Sequence, residues 1–533
     1  MPKFKPNHAK SYEKKIPKIN HPSSTPDTLI YVEFVFQCLF KILGFALIYG
    51  FLVVAVPISL IVKLVSKLLA FARLKYRDVK ANYGNAWETF WFLSDGEGHT
   101  ANLILLCTVN GSLSSERLQN FLHDRFLCKK EREEESGYLR RLRQKPERVF
   151  RELIWLDKTA NYALNVTQVD MDSACMETCN NTIMDIQHMS SCKEWQVFLY
   201  APTRENQSTE KCFIMLRFRH TLTDLHNLAD ATSKCFRDQQ ASTSCEKMWM
   251  SRNFCLGMFA FFEGPSIFLK SLFKPKDSMF ASPFSKRTLV YAEPISKNDI
   301  DIVTTATGAS VCDVILSCLA GSLRTCMRSR GKNFPNDVSV YFPIHLDSGR
   351  SLRCFTSFNI FSLPVATEGA IPRLWETQLR RNNTYSIVEA ITSRVIVQLA
   401  FLILPSCLAR RLVQSFVAKA SCTINCILED SLEDLRIDGR PVENFIPMED
   451  KDDGLSITII QYKGVYQMAA LMPSANDYAI HPSELCAEFV RQIRKLSIRF
   501  TERARAVRAR GQKVLSSRRN SVFVIEQDEE KSP

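Results

Sequence analysis

At 533 residues, of which 46% are hydrophobic and 35 are Phe, the chain is long enough for two domains or one large bilobed body with a lipid-sized cavity in its core. The net charge of +13 resembles a nucleic-acid signal, but its distribution argues against one: Arg491 to Arg519 holds eleven basic residues and the single acid Glu502, close to the whole excess. The 18 Cys include no CxxC, and the spaced pairs Cys175/Cys179 and Cys422/Cys426 have no His at zinc-finger spacing. They read as free thiols of a reducing compartment, and no metal site is expected.

Residues 1–28 are polar and rich in Lys and Pro, which predicts a disordered basic N-terminus. Residues 29–80 read as a membrane anchor and basic neck. Ile42 to Val62 is uncharged, about the 20 or so apolar residues that span a bilayer, and lacks the cleavage site of a signal peptide. Lysines flank it on both sides, so charge does not set its orientation. Sequons at Asn110, Asn165, Asn180, Asn206 and Asn382 would matter only if the body were lumenal.

Leu103 to Val109 followed by Asn110-Gly111 predicts a strand and turn, and Lys129 to Arg151 a charged surface helix and loop. Trp195 to Tyr200 and Cys212 to Phe218 read as buried strands. Asp224 to Phe236 reads as a helix with Thr223 as its N-cap. Cys255 to Phe273 and Val395 to Leu408 are apolar but interrupted, and read as core or membrane-surface segments. A strand at Leu289 to Glu293 opens a second half. There Val311 to Arg328 is an amphipathic helix and Val338 to Phe342 a strand. Leu455 to Gln461 and Val465 to Leu471 flank Tyr462-Lys463-Gly464 as a hairpin, and Leu485, Phe489, Ile493 and Leu496 mark a last helix. Strands and helices mix in both halves, an α/β (α+β mixed) pattern. The segment 501–533 is a basic and then acidic tail, suited to anionic headgroups near an anchor. Within it, Arg518-Arg519-Asn520-Ser521 has the form of a basophilic kinase site.

The chemistry-bearing candidate is Arg219-His220-Thr221-Leu222-Thr223-Asp224-Leu225. An imidazole, with an ordinary pKa of about 6.5, can take a proton from a hydroxyl at neutral pH. A carboxylate four residues on can hold the loop that aims it. By itself HxxxD is weak, since a satisfied His in a core or on a surface would give the same string.

The order of several segments adds weight. From about Trp87 to Leu496 the sequence resembles the wax ester synthase/diacylglycerol acyltransferase family, two-lobed relatives of the chloramphenicol acetyltransferase-like, CoA-dependent acyltransferases. WETFWFLSDGEGHTANLILLCTVNGSL resembles the family's opening segment and first strand, and EWQVFLY the strand before its HHxxxDG motif. GASVCDVILSCLAGSLRTCM resembles its NDV helix, with VYFPIHL and SLPV following in order. LRIDGRPVENFIPM and GLSITIIQYKGVYQMAAL resemble its C-terminal domain.

The resemblance implies an N-terminal lobe over 81–285 and a C-terminal lobe over 286–500, with a substrate tunnel between them. It implies His220 as the general base on the hydroxyl of a long-chain alcohol or diacylglycerol, with acyl-CoA as co-substrate, Asp224 in a supporting role and no permanently bound cofactor. Arg219, Leu225, Cys312 and Asp313 become substrate-tunnel candidates. The chain departs from the family at Arg219 (the first His), Leu225 (the Gly), Cys312 (the Asn of the ND pair) and Arg353-Cys354 (a Gly-Asn pair), and SNVPG is met only at Asn425. Retention of His220 favours a membrane-bound acyltransferase, single-pass at the endoplasmic reticulum with a cytosolic body. The departures favour a degenerate, lipid-binding homologue. A third reading is an anchoring or regulatory protein docked through its tail; nucleic acid is not an expected partner.

Overall fold

The computed structural model describes residues 29–77, 81–95, 101–127, 140–157, 166–171, 194–202, 211–237, 249–276, 279–280, 287–331, 335–344, 357–381, 383–428, 432–450, 454–473 and 480–529. The expectations for residues 1–28, Cys175/Cys179, Arg353-Cys354 and the sequons other than Asn110 lie outside the described residues. In the N-terminal half the elements are α1 (Leu29–Arg77), β1 (Ala81–Tyr83), α2 (Ala86–Asp95), β2 (Asn102–Asn110), α3 (Ser115–Leu122), β3 (Gln144–Val149), β4 (Glu152–Asp157), β5 (Val166–Met171), β6 (Trp195–Pro202), β7 (Lys211–Arg219), α4 (Leu225–Phe236) and α5 (Trp249–Phe273). The rest are β8 (Arg287–Tyr291), β9 (Ile295–Ser296), α6 (Lys297–Thr307), α7 (Val311–Ser329), β10 (Val338–Ile344), β11 (Ser357–Leu363), α8 (Ala370–Arg380), α9 (Asn383–Ile403), α10 (Ser406–Val417), β12 (Cys422–Ile427), β13 (Arg436–Ile437), β14 (Arg440–Asp450), β15 (Leu455–Tyr462), β16 (Val465–Pro473) and α11 (Pro482–Glu529).

Of the three sheets among the described residues, one is the small β1-β4-β3 and the other two are large and mixed. The first of the large pair runs β13-β14-β2-β7-β6-β5, the second β11-β10-β12-β15-β16-β8 with β9 also on β16. Strands β2 and β15 are buried on both faces, which is why they read as near-continuous apolar runs rather than as alternating ones. Ile104, Leu106, Phe213 and Met215 of the first sheet pack against Leu289, Ala469 and Leu471 of the second, so the two sheets meet through an apolar layer. The Lys463-Gly464 turn has φ of 50° and 72°, the double left-handed geometry that a two-residue hairpin requires.

The lobes are not contiguous in sequence. Strand β14, inside the expected C-terminal lobe, pairs with β2 over Val442 to Asp450 and so completes the first sheet. A surface helix and loop were expected over Lys129 to Arg151; residues 129–139 lie outside the described residues, Arg140–Arg143 form a short 3-10 helix, and 144–157 hold a β3–β4 hairpin. Its turn passes through Phe150 at φ 55°, a break that composition does not reveal. The N-cap of α4 is Asp224, not Thr223: its extended backbone lets the carboxylate accept from the Asn227 amide.

Helix α1 is about 74 Å long at 1.5 Å per residue. It touches the body near both ends: Lys41 pairs with Glu263 at 2.6 Å and Tyr49 donates to the Phe261 carbonyl at 2.6 Å, while Ala70 and Leu74 pack on Val149 and Ile154. Lys41 and Leu74 are about 50 Å apart along the helix. Between them a stripe through Gly44, Ser59 and Ser66 is buried, and Leu47, Val53, Ile61 and Leu68 are exposed. Helix α5 stays continuous through Glu263-Gly264-Pro265. Helices α1, α5 and α9 are each long and apolar enough to cross a membrane, where the sequence reading counted only the first.

Candidate active site

His220 follows the last residue of β7, a strand that β2 and β6 flank in the first sheet. Its backbone N–H donates to the Ala101 carbonyl at 3.1 Å, just before β2. The side chain is 3% exposed, and Nε2 lies 2.8 Å from Oε1 of Glu449, itself 3% exposed. Strand β14 brings Glu449 there by pairing it with Leu103 of β2. The second Glu449 oxygen, Oε2, accepts from Asn425 Nδ2 at 3.2 Å. Accepting from Nε2, Glu449 orients the imidazole in the tautomer whose lone pair is on Nδ1.

The ring also lies flat on Trp91, with centroids 4.1 Å apart and planes 20° apart. Glu88 fixes α2, which carries Trp91. Buried at 0% exposure, it accepts from Trp155 Nε1 at 3.0 Å and pairs with Arg141 at 3.4 Å. Asp95, at the C-terminal end of α2, accepts from Thr221 Oγ1 at 3.1 Å. Burial pushes the Asp95 carboxyl up to about 6, a rise held in check by Arg219, by the Thr221 hydrogen bond and by His220.

The candidates fall into two groups. Asp224 and Leu225 border the same small cavity as His220, together with Tyr341, Asn425 and Glu449. The Asp224 oxygens accept from Asn227 N and Nδ2, both at 2.9 Å, so this carboxylate caps α4 and holds the loop that carries His220. Arg219, Cys312 and Asp313 are not among the residues bordering that cavity. Asp313 closes a capping box with Ser310 at the start of α7 and accepts from Arg381 Nε at 2.6 Å. A hydrogen bond from Cys426 draws the Cys312 thiol below its usual range. Asp313 therefore serves the N-terminus of α7, and Cys312 is tied to Cys426 of β12. Among the described residues no group of His, Cys, Asp and Glu could hold a metal ion.

The cavity beside His220 is about 20 Å³, enough for one water and far too small for an acyl chain. A second cavity, of about 390 Å³, lies between α5, α9 and β11, with Phe358 in its wall. Phe358 stacks on Tyr341 at 5.1 Å, and Tyr341 borders the cavity beside His220. Sequence reasoning missed Glu449, Trp91, Asp95 and this ring pair. Trp91 and Asp95 stand in the opening segment that carried the resemblance, but nothing in Met448-Glu449-Asp450 marks a partner for a His 229 positions away.

Comparison with known proteins places this geometry. Residues 355–497 match the WS/DGAT C-terminal domain. The fold is similar to the wax ester synthase/diacylglycerol acyltransferase from Marinobacter aquaeolei VT8 (TM-score 0.53, 12% identity, 79% of this chain and 100% of that one). It is also similar to the TRI3 trichothecene 15-O-acetyltransferase from Fusarium sporotrichioides (TM-score 0.54, 11% identity, 79% and 95%). At such identities the likeness establishes the fold: a mixed α/β, two-lobed, chloramphenicol acetyltransferase-like architecture, here preceded by an apolar helix. No curated protein matches the chain by sequence.

Proposed function

We propose that this chain, which carries a WS/DGAT C-terminal domain on the two-lobed acyltransferase fold, transfers a fatty acyl group from acyl-CoA to the hydroxyl of a long-chain alcohol or diacylglycerol. The observation that carries the reading is His220, buried at the end of β7 and held by Glu449 at 2.8 Å. His220 takes the hydroxyl proton on Nδ1 as the alcohol oxygen attacks the thioester carbonyl. The tetrahedral intermediate collapses, the carbon–sulfur bond breaks, and the imidazolium returns its proton to the departing CoA thiolate. Glu449 fixes the tautomer and stabilises the imidazolium. Asp224 positions the loop.

Acceptor and product are both poorly soluble, which gives the apolar helices a purpose. Because α1 is bound to the body at points about 50 Å apart, and a bilayer's hydrocarbon is about 30 Å thick, a perpendicular crossing would leave body elements on both faces. We therefore read α1 as lying along the body, its exposed apolar residues set into one leaflet with those of α5. The free thiols of the described residues and the cytosolic supply of acyl-CoA favour the cytosolic face, at the endoplasmic reticulum.

The second reading, a lipid-binding homologue without turnover, is favoured by the cavity of about 20 Å³ at His220. Microsomes carrying the wild type or His220→Ala, given labelled palmitoyl-CoA with hexadecanol or diacylglycerol, separate the two. Acyl transfer predicts ester from the wild type and a loss of about 1,000-fold or more in the variant. Equal product from both refutes the assignment.

A further inference from the structure

A cleft of about 330 Å³ lies where the β3–β4 turn meets the junction of α9 and α10, and it shares no lining residue with the cavity at His220. Arg148, Arg151 and Arg410 all border it, and no carboxylate is among the residues that do. Arg410 is 5% exposed, Arg151 is half-buried and Arg148 is exposed. Arg151 donates from Nη2 to the Leu404 carbonyl at 2.8 Å, which ties the turn to the α9–α10 junction. Three guanidiniums brought to one small space repel one another, and an anion set between them replaces repulsion by attraction. Each guanidinium presents a planar fork of donors that matches phosphate oxygens in pairs.

The backbone of α10 acts in the same direction. The helix starts after Pro405, whose side chain cannot cap it, and Ser406 and Cys407 of its first turn border the cleft. The first N–H groups of a helix have no partner within it and favour negative charge. The surroundings of the cleft point to the source of that charge. Val149, next in sequence to Arg148, packs together with Ile154 on Ala70 and Leu74 of α1. Phe150, between the two arginines of the turn, is 50% exposed, and Leu408 in the first turn of α10 is 48% exposed. Large apolar side chains beside cations suit the boundary between headgroups and hydrocarbon. A soluble anion in the cleft would leave both of them in water.

We infer that this cleft binds the phosphate of an anionic phospholipid at the membrane surface along which α1 lies. Arg148, Arg151 and Arg410 hold the phosphate oxygens, and the N-terminus of α10 adds backbone donors. Phe150 and Leu408 enter the layer beneath the headgroups. The choice of a lipid as the source rests on the reading of α1 as set into one leaflet, whereas the anion chemistry rests on the arginines. His220 takes no part in it, so the site stands whether or not the chain transfers acyl groups.

Cys407 is exposed and borders the cleft, so its alkylation reports occupancy, and Cys255 of α5, exposed as well, is the internal control. The full chain in neutral detergent micelles is treated with N-ethylmaleimide, and the rate at each thiol is read by peptide mass spectrometry. Dihexanoyl phosphatidic acid, dihexanoyl phosphatidylcholine, inorganic phosphate and CoA are compared. Phosphatidic acid should slow modification of Cys407 at least about fivefold and leave Cys255 unchanged, while phosphatidylcholine, which has no net charge, should slow it less than about twofold. Inorganic phosphate and CoA should need a concentration at least about tenfold higher for the same protection. Arg148→Gln, at an exposed position and with the wild-type melting temperature, should bring protection by phosphatidic acid below about twofold, and Arg148→Lys should keep part of it. Protection by none of the four, or equal protection of wild type and Arg148→Gln, overturns the site. Equal protection by phosphatidylcholine, or protection by phosphate or CoA at the concentration of phosphatidic acid, overturns the anionic lipid as its ligand. His220→Ala should behave as the wild type does, which keeps this claim apart from that of acyl transfer.

Discussion

Glu449→Gln removes one charge from the centre of the site and leaves its volume unchanged. In the wild type the carboxylate faces His220 Nε2 at 2.8 Å and Asn425 Nδ2 at 3.2 Å, with Glu449 and His220 each 3% exposed. Two unit charges about 4 Å apart attract by about 4 kcal/mol at an effective dielectric of about 20. The attraction exists only once His220 has accepted a proton, so it stabilises the transition state and not the resting site. At about 1.4 kcal/mol per tenfold, its loss is worth up to about 1,000-fold in rate. The Gln amide can also donate to Nε2 and trap the other tautomer. Acyl transfer in microsomes should therefore fall between about 100- and 1,000-fold, with KM for palmitoyl-CoA little changed. On a His220→Ala background the same substitution should cost almost nothing more, because the two groups act as a unit. Activity within threefold of wild type, in a protein of unchanged melting temperature, would refute the role assigned to Glu449.

Two further substitutions separate support from chemistry. Asp224→Ala removes the α4 cap and leaves Asn227 Nδ2 buried without its partner, so it should destabilise the protein by about 2–4 kcal/mol in denaturant titrations. Asp224→Asn, which can still cap, should keep most of the activity; a loss like that of His220→Ala would make Asp224 more than structural. Asp95 has its folded-state pKa raised to about 6, above an unfolded value of about 3.9. The native state therefore holds an extra proton between about pH 4 and 6. Its contribution favours folding at low pH and is lost as pH rises through about 6, some 3 kcal/mol in all. Asp95→Asn should flatten that part of the stability–pH curve, and an unchanged slope would count against the burial of this carboxyl as its cause.

Much of this protein was legible from local pattern. The apolar run of α1, the strands around Leu103, Cys212 and Leu455, the Lys463-Gly464 turn and the start of α7 follow from periodicity and turn chemistry, which act over a few residues. His220 stood out through the order of the segments around a weak local motif, while the cap of α4 was read one residue early, at Thr223 instead of Asp224.

What the tertiary structure decided is long-range. Strand β14 leaves its own lobe to complete the first sheet and carries Glu449 to a histidine 229 residues earlier. Composition cannot encode such a pairing, because it depends on which strand edge is left unpaired. The same holds for the contact of Asp313 with Arg381, and for those of α1, read as a membrane anchor, with Glu263, Val149 and Ile154. Hydropathy records how apolar a segment is. Which of its faces meets protein and which meets lipid is settled only when every other element has been packed.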